Sequence, residues 1–407
     1  MPRSIERPEA ELGRPLELPC GATLKNRLIK SAMSDSLGDG AGNPTETQKR
    51  LYKRWAEGGA ALSLIGEVQV DPRYPEKPGN LALAQDGDLH AMQALARRGS
   101  ANGTHIWPQL GHAGALSHSP ISRPRGPSAL DVEGLRCRGM SLEDICGLPG
   151  AYAKAAVLAK DTGFTGVQIH AGHGFLLSQF LSPLFNRRRD AYGGRIAARF
   201  RIVYEIIDAV RQAVGTSFPI GIKINSTDRL VGGLTEDDAL EAVRMLDRTS
   251  IDLIDISGGT YFPGAEAASD SAPSSGPYFL DFAREAKTLT SIPVVATGGF
   301  RTRDQAIDAV KGGFVDAVSL ARAMALNPEL AKTWLSSDGG DPEFPVFHAP
   351  PRGGVTAWYS MRLTALGDDS ESRFDLIPAL ALEAYEARDE RRSEIWLQRF
   401  PQSPAAA

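Results

Sequence analysis

Eight short apolar runs, separated by stretches with helical patterning, are the feature that most constrains how this 407-residue chain can fold. The runs are rich in Val, Ile and Leu and lack clean alternation, which is typical of parallel strands covered on both faces. They span residues 27–33, 61–70, 104–110, 165–171, 220–225, 251–257, 292–297 and 315–321. Strand and helix alternating eight times predicts an α/β fold of the (β/α)8 TIM barrel type, although a doubly wound open sheet would show much the same periodicity.

Signals for helix boundaries lie between these runs. Thr45, Thr235 and Thr302 are each followed three residues later by Gln or Asp, a spacing that resembles a capping box and predicts the start of a helix. Gly58 and Gly312 stand where left-handed residues would close two of the helices, and we expect them to adopt that conformation.

Two segments lie outside the expected barrel of residues 26–334. Residues 1–25 contain two short apolar stretches joined through a Pro-Cys-Gly turn, which predicts a small β-hairpin that plugs the barrel floor. Residues 335–407 begin rich in Pro and Gly. The helical patterning of residues 355–366 and 376–397 then predicts a C-terminal extension of helices packed on the barrel.

Composition restricts the class of protein. A formal net charge of −4, with 42% hydrophobic and 23% charged residues, is typical of a soluble globular enzyme. The absence of a Lys/Arg stripe with interleaved aromatic residues argues against a nucleic-acid partner. No run of 18 apolar residues and no N-terminal signal core occur, so neither membrane insertion nor secretion is expected. Three scattered cysteines indicate a reduced, cytoplasmic chain, whose oligomeric state, a homo-oligomer included, stays open.

Polar residues follow the predicted strands at their carboxyl ends, where barrels of this kind carry functional groups. The residues at these ends are Met33 and Ser34 after the first strand, Gln109 and His112 in the third, His170 and His173 at the fourth, Lys223 and Asn225 in the fifth, Gly298 and Gly299 after the seventh, and Ala321 and Arg322 after the eighth. Glycines let backbone N–H groups approach an anion, and Arg322 adds a fork of donors. The last two loops are therefore interpreted as a phosphate site.

Several longer motifs resemble signatures of the Old Yellow Enzyme family, in the family's order. They are Leu24-Lys-Asn-Arg-Leu-Ile-Lys-Ser-Ala-Met33, Gln109-Leu-Gly-His-Ala-Gly114, Gly166-Val-Gln-Ile-His-Ala-Gly-His-Gly174, Gln179-Phe-Leu-Ser-Pro-Leu-Phe-Asn-Arg-Arg-Arg-Asp-Ala-Tyr-Gly-Gly194, Thr297-Gly-Gly299 and Leu320-Ala-Arg322. The likeness covers roughly residues 15–330. It implies the single-barrel branch without an iron–sulfur cluster, an FMN enzyme that transfers hydride from NAD(P)H, through flavin N5, to the β-carbon of an electron-poor C=C bond in a small molecule such as an enone or enal.

The resemblance also implies roles at the cofactor. Gln109 matches an amide at the pyrimidine edge of the flavin, Lys223 a cation near N1 and O2, and Ser34 a donor to O4. The implied FMN-binding set is Ala32, Met33, Ser34, Glu67, Gln109, Lys223, Gly298, Gly299, Ala321 and Arg322. Ala32 replaces the usual proline and Ala321 the more usual glycine. From the residues alone, Gln109, Lys223 and Ser34 also have structural interpretations, as a satisfied buried amide, an internal salt bridge and a cap or loop residue.

His170 and His173 carry most of the catalytic interpretation. In the family the corresponding pair binds the substrate's carbonyl or phenolate oxygen, where two donors withdraw electron density from the double bond. The spacing alone leaves open a metal site or a structural pair, but no third ligand stands in a recognisable metal spacing, so no metal is predicted.

Phe175 is the position at which the chain departs from the family. Two residues after the second histidine the family usually has a Tyr that protonates the α-carbon, and Phe has no proton to donate. Tyr261, after the sixth strand, is the first candidate to replace it, with an ordinary surface tyrosine as the equal alternative. The departure leaves open a flavin-dependent C=C isomerase or dehydrogenase, or a flavin-binding protein without turnover.

Overall fold

The computed structural model describes residues 9–132, 134–263, 265, 276–336 and 339–402. The first eight residues of the expected N-terminal segment and the last five of the expected C-terminal extension lie outside them.

Eight parallel strands form a closed barrel. They are β1 (Leu28–Lys30), β2 (Leu62–Gln69), β3 (His105–Gly111), β4 (Val167–Ala171), β5 (Ile220–Asn225), β6 (Leu253–Ser257), β7 (Val294–Thr297) and β8 (Ala317–Leu320). Each strand pairs with the next, and β8 pairs with β1, with Leu320 opposite Lys30. Because the first and last strands meet, the open-sheet alternative is excluded and the predicted barrel is confirmed.

Helices cover the outside of the barrel. They are α1 (Glu46–Glu57), α2 (Leu89–Gly99), α3 (Leu142–Asp161), α4 (Ile196–Val214), α5 (Glu236–Leu246), α6 (Leu280–Lys287), α7 (Arg303–Lys311), α8 (Gly354–Gly367) and α9 (Pro378–Arg399). Short helices at Glu9–Gly13, Leu176–Leu181, Arg322–Leu326 and Leu330–Trp334 lie between the larger elements. None of the helices in the described ranges is long and apolar enough to cross a membrane.

The helix starts were predicted correctly and two helix ends were not. The side chains of Thr45, Thr235 and Thr302 each accept a hydrogen bond from the backbone N–H three residues later. Gly58 and Gly312, however, have φ angles of −73° and −69° and are not left-handed. The left-handed residues are the glycines that follow each of them. The first glycine still donates its N–H to the carbonyl four residues back, so the chain reverses one residue later than expected.

The N-terminal hairpin is present. Leu16–Glu17 pairs antiparallel with Thr23–Leu24. Leu16 and Leu24 are buried in one apolar cluster with Trp107 of β3 and other inward-facing strand residues. The hairpin therefore plugs the barrel floor, opposite the carboxyl ends of the strands.

The C-terminal helices brace the other end of the barrel. Arg50 of α1 donates to the carbonyl of Gly367 at the end of α8, at 2.6 Å. From α9, the Trp396 indole donates to the carbonyl of Pro72 at 3.0 Å, and Arg392 donates to the carbonyl of Ser36. The two contacts from α9 fix the loops that follow β2 and β1, which border the barrel mouth.

Candidate active site

One side of the barrel mouth is built by the loops after β7, β8 and β1, which are neighbouring strands. The sequence-predicted residues in these loops are partly exposed: Ala32, Met33, Ser34, Gly298, Gly299, Ala321 and Arg322. The fold therefore brings together residues that are almost 300 positions apart in the chain, as the predicted strand order requires.

The loop after β7 requires its glycines. Gly298 and Gly299 have φ angles of 114° and 82°, in the left-handed region that other residues avoid, and a Cβ atom on Gly299 would collide with the backbone of residues 276–278. Among the described residues, no acceptor bonds to the N–H groups of these two glycines. Ala321 has a φ of −98°, which alanine adopts without strain, so its replacement of glycine is tolerated.

Arg322 adds the cation on this side of the mouth. It begins the short helix after β8, and its guanidinium lies 5.7 Å from the ring of Tyr359 in α8. Two backbone N–H groups without an acceptor among the described residues, in the loop next to that of an arginine, form a donor set that fits a phosphate group, as FMN would present.

Beneath the mouth lies a buried polar layer centred on Lys223. This side chain is fully buried, and its Nζ lies 2.9 Å from Oδ2 of Asp255, which is 1% exposed. It also donates to the hydroxyl groups of Ser31 at 3.1 Å and Thr297 at 3.4 Å. The internal salt bridge considered from the sequence is therefore present. It holds a cation near the carboxyl ends of the strands.

Gln109 joins the same layer through a second amide. Its Nε2 donates to Oε1 of Gln168 at 2.6 Å, and Nε2 of Gln168 donates to Oδ2 of Asp255 at 3.1 Å. Both amides are buried, at 2% exposure or less. Because every member of the chain is hydrogen-bonded, the amide of Gln109 is held in a fixed orientation.

Ser34 is engaged by a residue that the sequence did not single out. Its hydroxyl donates to Oε2 of Glu76 at 2.7 Å, and Asn80 donates to the same oxygen at 3.2 Å. Burial raises the pKa of Glu76 above its usual range. A bond from Ser34 to the flavin O4 would require its proton to turn away from Glu76, a competition that the sequence did not reveal.

The two histidines form one linear chain of contacts with Glu67. Nδ1 of His170 touches the Glu67 carboxyl, and its Nε2 lies 3.0 Å from Nδ1 of His173. Nε2 of His173 lies 2.9 Å from the hydroxyl of Ser257. The imidazoles thus bond to each other instead of converging on one point. The expected pair of donors on a single oxygen is not formed in this arrangement, and His173 is the partly exposed member.

The backbone at His173 is held in an unusual conformation. Its φ is +58°, and its N–H donates to Oδ1 of Asn225 at 2.9 Å. Asn225 also donates to the carbonyl of Gly259, after β6, at 2.8 Å. The carboxyl ends of β4, β5 and β6 are therefore tied together around His173.

Burial keeps these groups uncharged at neutral pH. It lowers the pKa of His170 to about 3 and that of His173 well below its usual value, and the Lys223 cation acts in the same direction. Burial also raises the pKa of Glu67 to about 8, against the opposing effect of Lys223. Both imidazoles are therefore neutral at pH 7, and the Glu67 carboxyl carries a proton.

Phe175 and Tyr261 lie beside the histidines. The Phe175 ring is 3% exposed and centred 5.0 Å from that of His170, whereas Tyr261 is 68% exposed and centred 6.1 Å from His173. The two aromatic rings are 5.9 Å apart. The tyrosine thus borders the partly exposed side of the histidine pair and the phenylalanine its buried side.

Sequence reasoning missed several of these side chains because it considered mainly the strand ends. Gln168 and Asp255 stand between apolar neighbours within β4 and β6. A polar side chain inside a buried strand must find a partner in the barrel, so these two positions carried a usable signal. Glu76 lies in a loop without any such pattern, and nothing in the sequence indicates its contact with Ser34.

Sequence comparisons identify the family. Residues 11–336 match the NADH:flavin oxidoreductase / NADH oxidase family. The chain is 34% identical over 357 residues to the NADH-dependent flavin oxidoreductase iliE of Hypocrea jecorina (strain QM6a), covering 80% of this chain and 89% of that protein. It is 32% identical over 311 residues to the NADPH dehydrogenase of Geobacillus thermodenitrificans (strain NG80-2), covering 76% and 89%. A 37% identical relative, iliE of Neonectria sp. (strain DH2), is longer, and the match covers 80% of this chain but 47% of that protein.

Solved structures show the same barrel. Morphinone reductase superimposes with a TM-score of 0.70 at 24% identity, covering 82% of this chain and 91% of that one, which shows a shared fold. A 2-naphthoyl-CoA reductase complex superimposes with a TM-score of 0.75 at 26% identity, covering 80% of this chain and 52% of that one. With the family match over most of its length, the chain belongs to the NADH:flavin oxidoreductase / NADH oxidase family, the flavin-dependent Old Yellow Enzyme family, whose members use FMN and NAD(P)H.

Proposed function

We propose that this protein reduces an electron-poor C=C bond conjugated to a carbonyl group in a small-molecule substrate, at the expense of NAD(P)H. The observation that carries the proposal is the partly exposed His173, backed by the buried His170, at the barrel mouth beside residues that fit FMN. Bound FMN would supply the hydride for the β-carbon after its reduction by NAD(P)H. The remaining work falls to side chains of this chain.

In this proposal the mouth and the buried layer hold the cofactor. Gly298, Gly299 and Arg322 bind the phosphate through two backbone N–H groups and a guanidinium. Gln109 and Lys223, fixed by their buried partners, face the pyrimidine end. The remaining members of the cofactor set are Ala32, Met33, Ser34, Glu67 and Ala321, of which all but Glu67 are partly exposed at the mouth.

His173 is proposed to bind the substrate carbonyl oxygen. A donor at its Nε2, now 2.9 Å from Ser257, would turn to the substrate and stabilise the negative charge that develops on the oxygen as hydride arrives. Tyr261 is proposed to protonate the α-carbon, since its ring lies 6.1 Å from that of His173 and Phe175 lacks a hydroxyl group.

A second candidate function follows from Phe175. This ring is buried against His170 at the position where the family usually has an acid. A flavin-dependent C=C isomerase or dehydrogenase does not need a net proton donor at that position, and we retain it as the alternative.

Anaerobic stopped-flow separates the two functions. The protein is first reduced with one equivalent of NADH or NADPH and then mixed with 2-cyclohexenone while flavin absorbance is followed. Reoxidation of the flavin with formation of cyclohexanone supports the reductase. Rapid flavin reduction without reoxidation by a panel of cyclic and acyclic enones and enals would refute it and favour the alternative.

A further inference from the structure

Glu67, His170 and His173 form a continuous path from the barrel interior to the mouth. The Glu67 carboxyl is 4% exposed and touches Nδ1 of His170, a buried ring nitrogen without a hydrogen-bond partner among the described residues. The path continues across the 3.0 Å contact to His173 and the 2.9 Å contact to Ser257. Each imidazole therefore has one ring nitrogen facing inward and one facing outward.

The direction of all three contacts depends on a single proton. If Glu67 is protonated, it donates to Nδ1 of His170, and Nε2–H of His170 donates to Nδ1 of His173. His173 then carries an N–H at Nε2, the outer end of the path. If Glu67 is ionised, Nδ1–H of His170 donates to it, both outer nitrogens lose their protons, and His173 presents an acceptor.

We propose that Glu67, His170 and His173 are a proton relay, in which the Glu67 carboxyl passes a proton through both imidazoles to the substrate carbonyl oxygen and later recovers it. The proposal rests on the proposed reductase function and assigns Glu67 a positioning role in it. The geometry carries it, since three consecutive contacts lie within reach of proton transfer and none requires a charged imidazole.

Hydride forms a C–H bond at the β-carbon, the C=C electron pair moves to the bond between the α-carbon and the carbonyl carbon, and the carbonyl π pair becomes an O–H bond. The proton of that bond comes from Nε2 of His173. Nδ1 of His173 then receives the Nε2 proton of His170, and Nδ1 of His170 receives the proton of Glu67. When the α-carbon of the enol is protonated, the O–H proton returns along the same path, so the net proton comes from Tyr261 or solvent.

Charged and titratable groups lie around Glu67. Lys223 stabilises the Glu67 carboxylate, and the charge of that carboxylate adds to burial in raising the pKa of the neighbouring Glu76. Burial raises the pKa of the Tyr152 phenol, and the charge of Glu67 acts in the same direction. Burial raises the pKa of Glu67 to about 8. Glu67 therefore holds the proton of the relay below about pH 8 and loses it as the pH rises above that value.

Imidazole tautomers test the relay without substrate or turnover. We would label the seven histidines with ¹⁵N, assign His170 and His173 by their Asn variants, and titrate the FMN-loaded protein from pH 6 to 10. Both imidazoles should carry Nε2–H at pH 6 and switch together to Nδ1–H with a midpoint near 8, and neither should become cationic. In Glu67→Gln, whose amide can donate but not ionise, both should remain Nε2–H throughout. Asp389→Asn, which changes a buried carboxyl on α9, is the matched control and should titrate as wild type.

Kinetics then separate failure of the relay from failure of the proposed function. In Glu67→Gln, flavin reoxidation by 2-cyclohexenone should slow by about 10²-fold more than flavin reduction by NAD(P)H does, because only reoxidation uses the relay and one proton transfer contributes about that much. Two results would overturn the relay even if the protein reduces enones. One is that the imidazole tautomers do not change with pH and are the same in the wild type and in Glu67→Gln; the other is an imidazolium at pH 7. The expected tautomer switch in a protein that does not reduce enones would leave the relay standing and refute the proposed function alone.

Discussion

Replacing Lys223 with Met tests the buried layer that supports the site. The substitution keeps much of the side-chain volume and removes the cation paired with Asp255 at 2.9 Å. Leaving one partner of a buried ion pair alone costs about 3–5 kcal/mol. Asp255 keeps two hydrogen bonds, from Thr297 at 2.6 Å and from Gln168 at 3.1 Å. We therefore expect the lower end, about 3 kcal/mol of lost unfolding free energy.

A double-mutant cycle isolates the pair. Asp255→Asn leaves no unpaired charge. The Asn Oδ1 can accept from Gln168, and its Nδ2 can donate to the Thr297 hydroxyl, so adding this change to Lys223→Met should recover at least about 2 kcal/mol of that loss. Lys53→Met is the control, since the Lys53 side chain is 51% exposed and its pair with Glu57 lies on the surface. Lys53→Met should lower the free energy of unfolding by less than about 0.5 kcal/mol.

The assay is urea unfolding of the FMN-free protein, followed by tryptophan fluorescence, because bound cofactor would stabilise the folded state by mass action. A loss below about 1 kcal/mol for Lys223→Met, or additive effects of the two buried substitutions, would refute the claim that Lys223 and Asp255 act as a compensating buried pair.

Three further outcomes test the site. The purified protein should be yellow with one FMN per chain, and Arg322→Ala should weaken FMN binding by about 2 kcal/mol, measured by fluorescence titration, whereas Arg322→Lys should lose less. A para-substituted phenol should give a long-wavelength charge-transfer band with the oxidised flavin, and combined Ala variants of His170 and His173 should abolish it; an unchanged band would assign oxygen binding to other groups. If Tyr261 protonates the α-carbon, Tyr261→Phe should slow flavin reoxidation by about 10²–10⁴-fold, while Phe175→Tyr should change that rate little. Faster reoxidation in Phe175→Tyr with no change in Tyr261→Phe would mean that the site lacks a proton donor. No change in either variant would indicate that solvent donates the proton.

The sequence by itself determined the architecture and indicated which residues would lie at the barrel mouth. Eight buried runs in alternation with capped helices predicted the barrel, because strand and helix periodicity are local properties of the chain. The carboxyl ends of those strands then predicted which polar residues share the mouth, from Ser34 to Arg322. The helix ends at Gly58 and Gly312 were missed by one residue because a capping glycine and its successor differ in φ but not in sequence.

The tertiary structure decided how those residues are connected. Ser34 lies against Glu76, and Lys223 against Asp255, across distances of 42 and 32 positions in the chain. His170 bonds to His173 instead of sharing a target with it. Hydrogen-bond partners of this kind depend on which side chains face each other across neighbouring strands. Strand register and loop packing set that geometry, and both are fixed only when the barrel closes.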